Sequence, residues 1–564
     1  MRYVGRTPYL ICMAALTLGL ASQVSAADIA DTMFVNGKVF TADARDSVQQ
    51  AFAIKGDRFL AVGSDQLILA YRGPNTRIVD LKGQFVTPGF GDDHFHNEGG
   101  GDGIDLTKTR SIADVLKVVA DAAARLPAGT VIVSNADWHE AQLKEQRLPT
   151  ASELDTVSLA HPVVLVRGGH EYILNNAALA KWGITRDTPS PSGGSISRDA
   201  TGELTGELFD NAMKLVTLPA RPSLTVADVI KTQKAVNPYG ITAVRITGAY
   251  KSDLDHDYAL IEEARASGQL GLRYTVFLPG FDLKSAAEAR ALIRHWQPKL
   301  ESGDDWLRID GVKLMIDGGF EGGHLSQPYE EPWGKGGTYS GIEKVPPEAL
   351  TAVVGEINRL GWRATTHAVG DVGIDQTLAA YEAADREHPL AGKRWSIEHA
   401  FIARPEQLPR IAKLTLGLSI QDHLYVVAPV LDKYWGKERA SQVTPLKSYL
   451  DAGILVAGGT DSYVIPFNPF LQLYHYLTRD SISAGVHGAN QAVTSRPQLL
   501  RLLTINYAKL IGQEARLGSI EPGKLADFAV LTDDFLTVEP SKIPEMRALS
   551  TYVGGKEVYR DPVF

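Results

Sequence analysis

The chain has 564 residues, 44% hydrophobic and 22% charged, the balance of a globular protein and not of a disordered or fibrous one. Its net charge of −9, with no basic run, argues against a nucleic-acid binder. A chain this long buries a large core without disulfides, and its one cysteine is Cys12.

Arg2 and Arg6 precede the apolar run Tyr9 to Leu20, and Val24-Ser25-Ala26 offers small residues for cleavage. This pattern predicts a secretory signal peptide over residues 1–26 and a periplasmic or secreted location. The run is short for a membrane span, and no later stretch is long and apolar enough for one. Cleavage would leave 55 basic against 66 acidic residues, a net charge of −11, and no cysteine. Thiolate metal sites and cysteine nucleophiles are then excluded, which leaves His, Asp, Glu, Lys and Ser for chemistry.

Residues 33–81 read as short strands. Asn36-Gly37 marks one hairpin, and Ala51 to Val62, broken at Gly56-Asp57, is a second. The far end is similar: Ala526 to Leu531, then Leu549 to Tyr559 with a turn at Gly554-Gly555. The pattern predicts one small β-sandwich domain built from residues 27–84 and 515–564.

Between them, residues 85–514 alternate short apolar runs with helical patterns, the sign of a parallel α/β array. Eight strands are predicted: Phe85 to His94, Ile241 to Thr247, Leu272 to Leu278, Leu307 to Ile316, Trp362 to Thr366, Arg394 to Glu398, Thr415 to Ile420 and Ile454 to Gly459. Pro346 to Leu360 exemplifies the helices between them, with proline at its start and Gly361 after its end. Together they predict a TIM-like (β/α)8 barrel. The gap after the first strand is too long for one helix. Residues 98 to about 235 are therefore expected to form an insertion, with a helix at Ile112 to Leu126 and strands near Val131 to Ser134 and Val163 to Arg167.

Polar residues fall at the ends of these strands. The first ends in Asp93-His94-Phe95-His96, where residues i and i+2 share a face, so both imidazoles point into one space. Lys313 interrupts an apolar fourth strand, and a buried ammonium needs a partner or a chemical change. His367 ends the fifth strand, Glu398-His399 the sixth and Asp461 the eighth. Alone, each is as easily structural. Together they would converge at one barrel mouth. Imidazole and carboxylate suit zinc and similar divalent ions. A neutral lysine that adds carbon dioxide becomes a carbamate able to bridge two ions, and Asp461 would both ligate and accept the proton of an attacking water.

With these residues in place, the sequence resembles the amidohydrolase superfamily, and within it the amidohydrolase 3 branch that includes N-substituted formamide deformylase-like proteins. The resemblance covers essentially all of the chain after the leader. It rests on Asn36-Gly37-Lys38-Val39 and on Val86-Thr87-Pro88-Gly89-Phe90 before His94-x-His96. In the insertion it rests on Arg167-Gly168-Gly169-His170, Asn175 to Leu179 and Gly202 to Gly206. It continues through Lys313 with Asp317-Gly318, His367 to Asp371, Ile397 to Ala400, Gly459 to Ser462 and Gly518 to Phe528.

The resemblance implies one ion on His94, His96 and Asp461. It implies Lys313, as carboxylysine, bridging to a second ion on His367 and His399. The implied activity is hydrolysis of an amide, N-acyl or N-formyl C–N bond by metal-activated hydroxide, with Asp461 passing the proton to the leaving amine. His170 would reach the site to polarise a substrate carbonyl, or would cap a turn. Glu398, flanking His399 on the opposite strand face, reads as buried structure. Two segments depart from the branch: Gly91-Asp92-Asp93 before His94, and the glycine-rich loop Asp317 to His324, which reads as mobile and where His324 could replace a usual substrate contact.

A small-molecule substrate is expected. Trp138, His139, Tyr172, Tyr329, Trp333 and Tyr463, placed in loops near the mouth, hint at an apolar or aromatic moiety, though for most of them packing of the insertion is the simpler explanation. Homo-oligomerisation is left open. The competing expectations are a one-ion deaminase of the same superfamily, which needs no strand-four lysine, and a non-catalytic periplasmic binding protein. A serine hydrolase is disfavoured, since no Gly-x-Ser-x-Gly elbow occurs.

Overall fold

The computed structural model describes residues 29–564 apart from 98–100, 102, 221–222, 249–252, 463–466 and 483. The expected leader and Tyr463 lie outside the described residues.

The expected barrel is present. Eight parallel strands follow one another in chain order: β1 (Phe90–Phe95), β2 (Ile241–Thr247), β3 (Arg273–Pro279), β4 (Leu307–Met315), β5 (Arg363–Ala368), β6 (Ser396–His399), β7 (Gly417–Ile420) and β8 (Leu455–Gly458). The ring is completed just beyond β8. There Phe95 bridges Ser462, and the Asp461 amide donates to the His94 carbonyl oxygen at 2.7 Å. Helices cover the outside in the usual amphipathic way. In the helix Pro347–Arg359, with proline at its first turn, Leu350, Val353, Val354 and Ile357 form one buried face. Each such side chain contributes about 1.5–3 kcal/mol of burial free energy.

The long run predicted as the first strand is divided. Phe85–Pro88 pairs with Phe528–Leu531 and Lys38–Phe40 in a six-stranded sheet, whereas Phe90–Phe95 enters the barrel. Gly89 makes the change of sheet possible, because a Cβ there would lie 2.2 Å from the Thr242 hydroxyl. That sheet also takes in Ala548–Val553 and Lys556–Arg560, so it joins strands from both ends of the chain. A four-stranded sheet of Thr32–Val35, Ala51–Lys55, Arg58–Gly63 and Arg77–Asp80 lies beside it. Phe34, Phe52, Phe528 and Tyr552 pack between the two.

Between β1 and β2 lies a separate five-stranded sheet, including Val163–Arg167, Glu171–Leu174 and Leu204–Asp210. The turn from Arg167 to Glu171 carries His170 to the barrel mouth. The helix Val226–Val236 instead contributes Val229 and Val236 to the barrel core. Among the described residues, no helix is long and apolar enough to cross a membrane.

Candidate metal centre

Strand register aims the polar side chains inward. Lys313 pairs with Thr365 across β4 and β5, and His367 pairs with Glu398 across β5 and β6, so these groups share the interior face. His399 and Asp461 stand at strand ends with left-handed backbone, at φ 71° and 53°. Such non-glycine conformations cost on the order of 1–3 kcal/mol and turn both side chains into the mouth.

Asp461 is the hub. Its Oδ1 lies 3.5 Å from His94 Nε2 and 3.2 Å from His96 Nε2, and its Oδ2 lies 3.1 Å from His423 Nε2 and 3.9 Å from His399 Nδ1. Two groups could each hold an ion: His94, His96 and Asp461, and His399, His423 and Asp461. The His399 ring lies 4.8 Å from that of His94 and 4.5 Å from that of His367. Lys313 is buried among them, with no hydrogen-bond partner for Nζ. Burial pushes its pKa down to about 8, and its charge lowers those of His94, His367 and His399. The six residues singled out from the sequence therefore meet at one mouth.

The donor set fits divalent ions. Burial holds His94 at about 4 and His367 and His399 well below 6.5, so these imidazoles are neutral and their lone pairs are available. Burial alone would raise Asp461, but the neighbouring His94, His423 and His96 hold it well below the usual carboxylate range. The rings are oriented from behind, as ligating imidazoles usually are. His94 Nδ1 lies 2.7 Å from Glu398 Oε2, His399 Nδ1 lies 2.6 Å from Gln421 Oε1, and His367 Nε2 lies 3.1 Å from the Gly318 carbonyl oxygen. The orphaned Lys313 Nζ is the kind of atom a carbamate would satisfy.

Three residues were missed from the sequence. His423 follows Gln421-Asp422 at the end of β7, and that polar run was the available signal. Arg245 looks like an anomaly within an apolar β2. Its guanidinium bonds Glu398 and donates to the Asp93 carbonyl oxygen at 2.7 Å. Glu398, expected to be buried structure, is buried, yet it connects Arg245 and Thr365 to His94. Asp210 is the third. Its Oδ1 lies 2.7 Å from His170 Nδ1.

The glycine-rich loop Asp317 to His324 is largely buried, and close approach explains its glycines better than mobility does. A Cβ on Gly318 would lie 2.5 Å from Asp210 Oδ2, on Gly319 2.9 Å from the His170 ring, and on Gly323 2.6 Å from Val369. The buried Asp317 carboxylate pins the loop by accepting from the amides of His324, Val369 and Gly370. His324 lies beneath Gly370, off the cleft wall.

A cleft opens onto this centre, lined by Arg167, His170, Phe320, Glu321, Phe401 and His423 among others. Phe320 and Phe401 stack at 5.4 Å with their planes 5° apart. The apolar wall therefore comes mainly from these two, and of the loop aromatics singled out from the sequence, the five among the described residues (Trp138, His139, Tyr172, Tyr329 and Trp333) do not line the cleft. Trp138 is buried in the insertion and donates to Val166, and Tyr329 is buried and donates to the loop carbonyls of Phe320 and Gly323.

Comparison with known proteins agrees with the fold. The family described as "Amidohydrolase family" matches residues 77–559. The "Protein LONG AFTER FAR-RED 3" of Arabidopsis thaliana is 31% identical over 554 residues, covering 94% of this chain and 92% of that one. The N-substituted formamide deformylase of Arthrobacter pascens is 28% identical, covering 93% and 97%. A solved structure of an uncharacterized metal-dependent hydrolase from Pyrococcus furiosus superposes with a TM-score of 0.64 at 25% identity, over 90% of this chain and 100% of that one.

Proposed function

The chain belongs to the amidohydrolase family, and from that premise we propose that it is a periplasmic hydrolase of amide, N-acyl or N-formyl C–N bonds in small molecules. The observation that carries this reading is Asp461, one carboxylate placed between two sets of imidazoles beside a buried, unpartnered Lys313.

His94, His96 and Asp461 would hold one divalent ion. His367 and His399 would hold a second, with Lys313 as a carbamate between them. Zinc suits these donors. When bound, such a pair supplies Lewis acidity toward a carbonyl oxygen and acidifies water. The protein's own groups do the rest. Asp461 accepts a proton from the attacking water, whose oxygen joins the carbonyl carbon. As the C–N bond breaks, Asp461 returns the proton to the departing nitrogen, leaving a carboxylic acid and an amine. His170, on the cleft wall against His367, contacts the amide group. Phe320 and Phe401 exclude water and pack an apolar substituent.

The leader over residues 1–26 supports export to the periplasm. The similarity to a formamide deformylase supports the bond type.

The test is a screen of N-formyl, N-acetyl and N-acyl amino acid substrates with zinc-loaded protein, alongside metal analysis. Turnover with about two ions per chain is expected. Full activity in metal-free protein would end the reading. Activity indifferent to substitution of Lys313 would favour a one-ion deaminase.

A further inference from the structure

His170 stands in the turn from Arg167 to Glu171 and Asp210 ends the strand Leu204–Asp210 of the inserted sheet, and the barrel's own glycine-rich loop is shaped around them. Asp210 is buried, and its Oδ1 lies 2.7 Å from His170 Nδ1. Its other oxygen, Oδ2, faces Gly318 and Gly322, where a Cβ would come within 2.5 and 3.0 Å. The His170 ring covers Gly319 in the same way, and it packs 5.5 Å from the His367 ring. Three glycines thus give up side chains so that this pair can press against the metal centre. An imidazole used only to cap a turn needs no such accommodation. Lys344 Nζ lies 3.7 Å from Asp210 Oδ1, the same oxygen that faces His170 Nδ1.

We propose that Asp210 is a positioning residue for His170, fixing it as the Nδ1–H tautomer with Nε2 turned to the cleft, so that the site selects amides whose nitrogen carries a hydrogen. The inference rests on the C–N hydrolase reading and narrows its substrate class. A carboxylate only accepts hydrogen bonds, so the His170 nitrogen facing it carries the proton. In a neutral ring the opposite nitrogen then has a lone pair and no hydrogen. Nε2 is therefore an acceptor, and the donor that a scissile amide can offer is its N–H. An amide disubstituted on nitrogen has none, and it would leave Nε2 without a partner in the closed complex.

Two measurements test this, and the first needs no substrate. Long-range ¹H–¹⁵N correlation on zinc-loaded protein labelled with ¹⁵N-histidine reads the tautomer of each ring, and the H170Q spectrum identifies the His170 signals. The expected result is protonation at Nδ1 alone in the wild type, with that state lost in D210N. Protonation at Nε2, or signals unchanged in D210N, would overturn the proposal even if the hydrolase reading stands.

The second compares a mono- with an N,N-disubstituted amide of one acyl group. The wild type should prefer the former, and D210N should lower kcat/KM on it by ~10²-fold, the scale of a misplaced contact. In an H170Q background the same substitution should change little. Additive losses, or equal turnover of the two amides by the wild type, would count against Asp210 acting through His170. D210E, which keeps the carboxylate, should retain the wild-type preference, and it serves if D210N folds poorly. An enzyme that turns over neither amide contradicts the C–N reading, while the tautomer still decides the role of Asp210.

Discussion

Glu398 Oε2 holds His94 Nδ1 at 2.7 Å across the barrel mouth, although 304 residues separate them. The other carboxylate oxygen is engaged by Arg245 and Thr365, so one buried acid ties the barrel's polar interior to a metal-type imidazole. Outer partners of ligating imidazoles are typically worth 10–100-fold in metal affinity. E398Q should therefore weaken zinc by about that factor in chelator competition. It should also destabilise the fold by roughly 3–5 kcal/mol, because the buried Arg245 loses the carboxylate that bonds its guanidinium. An unchanged competition curve would show that Glu398 serves the fold alone.

His423 touches Asp461 from the side away from His96, with its Nδ1 buried and unpartnered. His94, His367 and His399 each have a partner behind the ring, and that difference sets His423 apart from them. H423A should keep the full metal content while kcat falls ~10²-fold through a misaligned Asp461. Loss of one ion per chain in elemental analysis would make His423 a ligand instead.

Lys313 is the bridging group of the proposed centre. K313A should retain about one ion in place of two and lose activity, and short carboxylates added with zinc should restore part of both. Wild-type protein given ¹³C-bicarbonate should show a carbamate carbon signal that K313A lacks. A K313A enzyme with both ions and full turnover would remove the lysine from the mechanism.

Phe320 stacks on Phe401 in the wall of the cleft. F320A should raise KM for substrates with an aromatic substituent about tenfold, the worth of part of a buried phenyl ring, with little change in kcat. Equal loss on substrates lacking that substituent would mean that the ring shapes the loop and not the subsite.

Outside the metal-type cluster, His475 is buried, with Nδ1 2.8 Å from the Asp480 carbonyl oxygen. Burial, aided by the Arg479 charge, pushes its pKa down from 6.5 to about 3. The folded protein keeps this ring neutral, whereas the unfolded chain takes up a proton below about 6.5. The lowered value makes stability fall as pH drops through 6.5, and the fall continues to about 3. At pH 5.5 the loss from this group is about 1 kcal/mol. Urea unfolding at pH 7.5 and 5.5 should show a pH-dependent loss smaller by that amount in H475Q. Parallel losses in the two proteins would exclude His475 as the source.

The sequence by itself determined the barrel and the convergence of its metal-type side chains. Strands and helices announce themselves through near-neighbour periodicity and through Gly and Pro punctuation, which is why Ile241 to Thr247 was bounded correctly. A parallel barrel then brings every strand end to one face, so His94, His367, His399 and Asp461 meet once their strands are recognised. Tertiary structure decided what lies between them. The roles of Arg245, Glu398, His423 and Asp210 depend on partners far away in the chain, and a buried charge takes its meaning from those partners. The glycines from Gly318 to Gly323 read as freedom in the sequence and prove to be space, because only the packed molecule shows which atoms occupy the room a side chain would need.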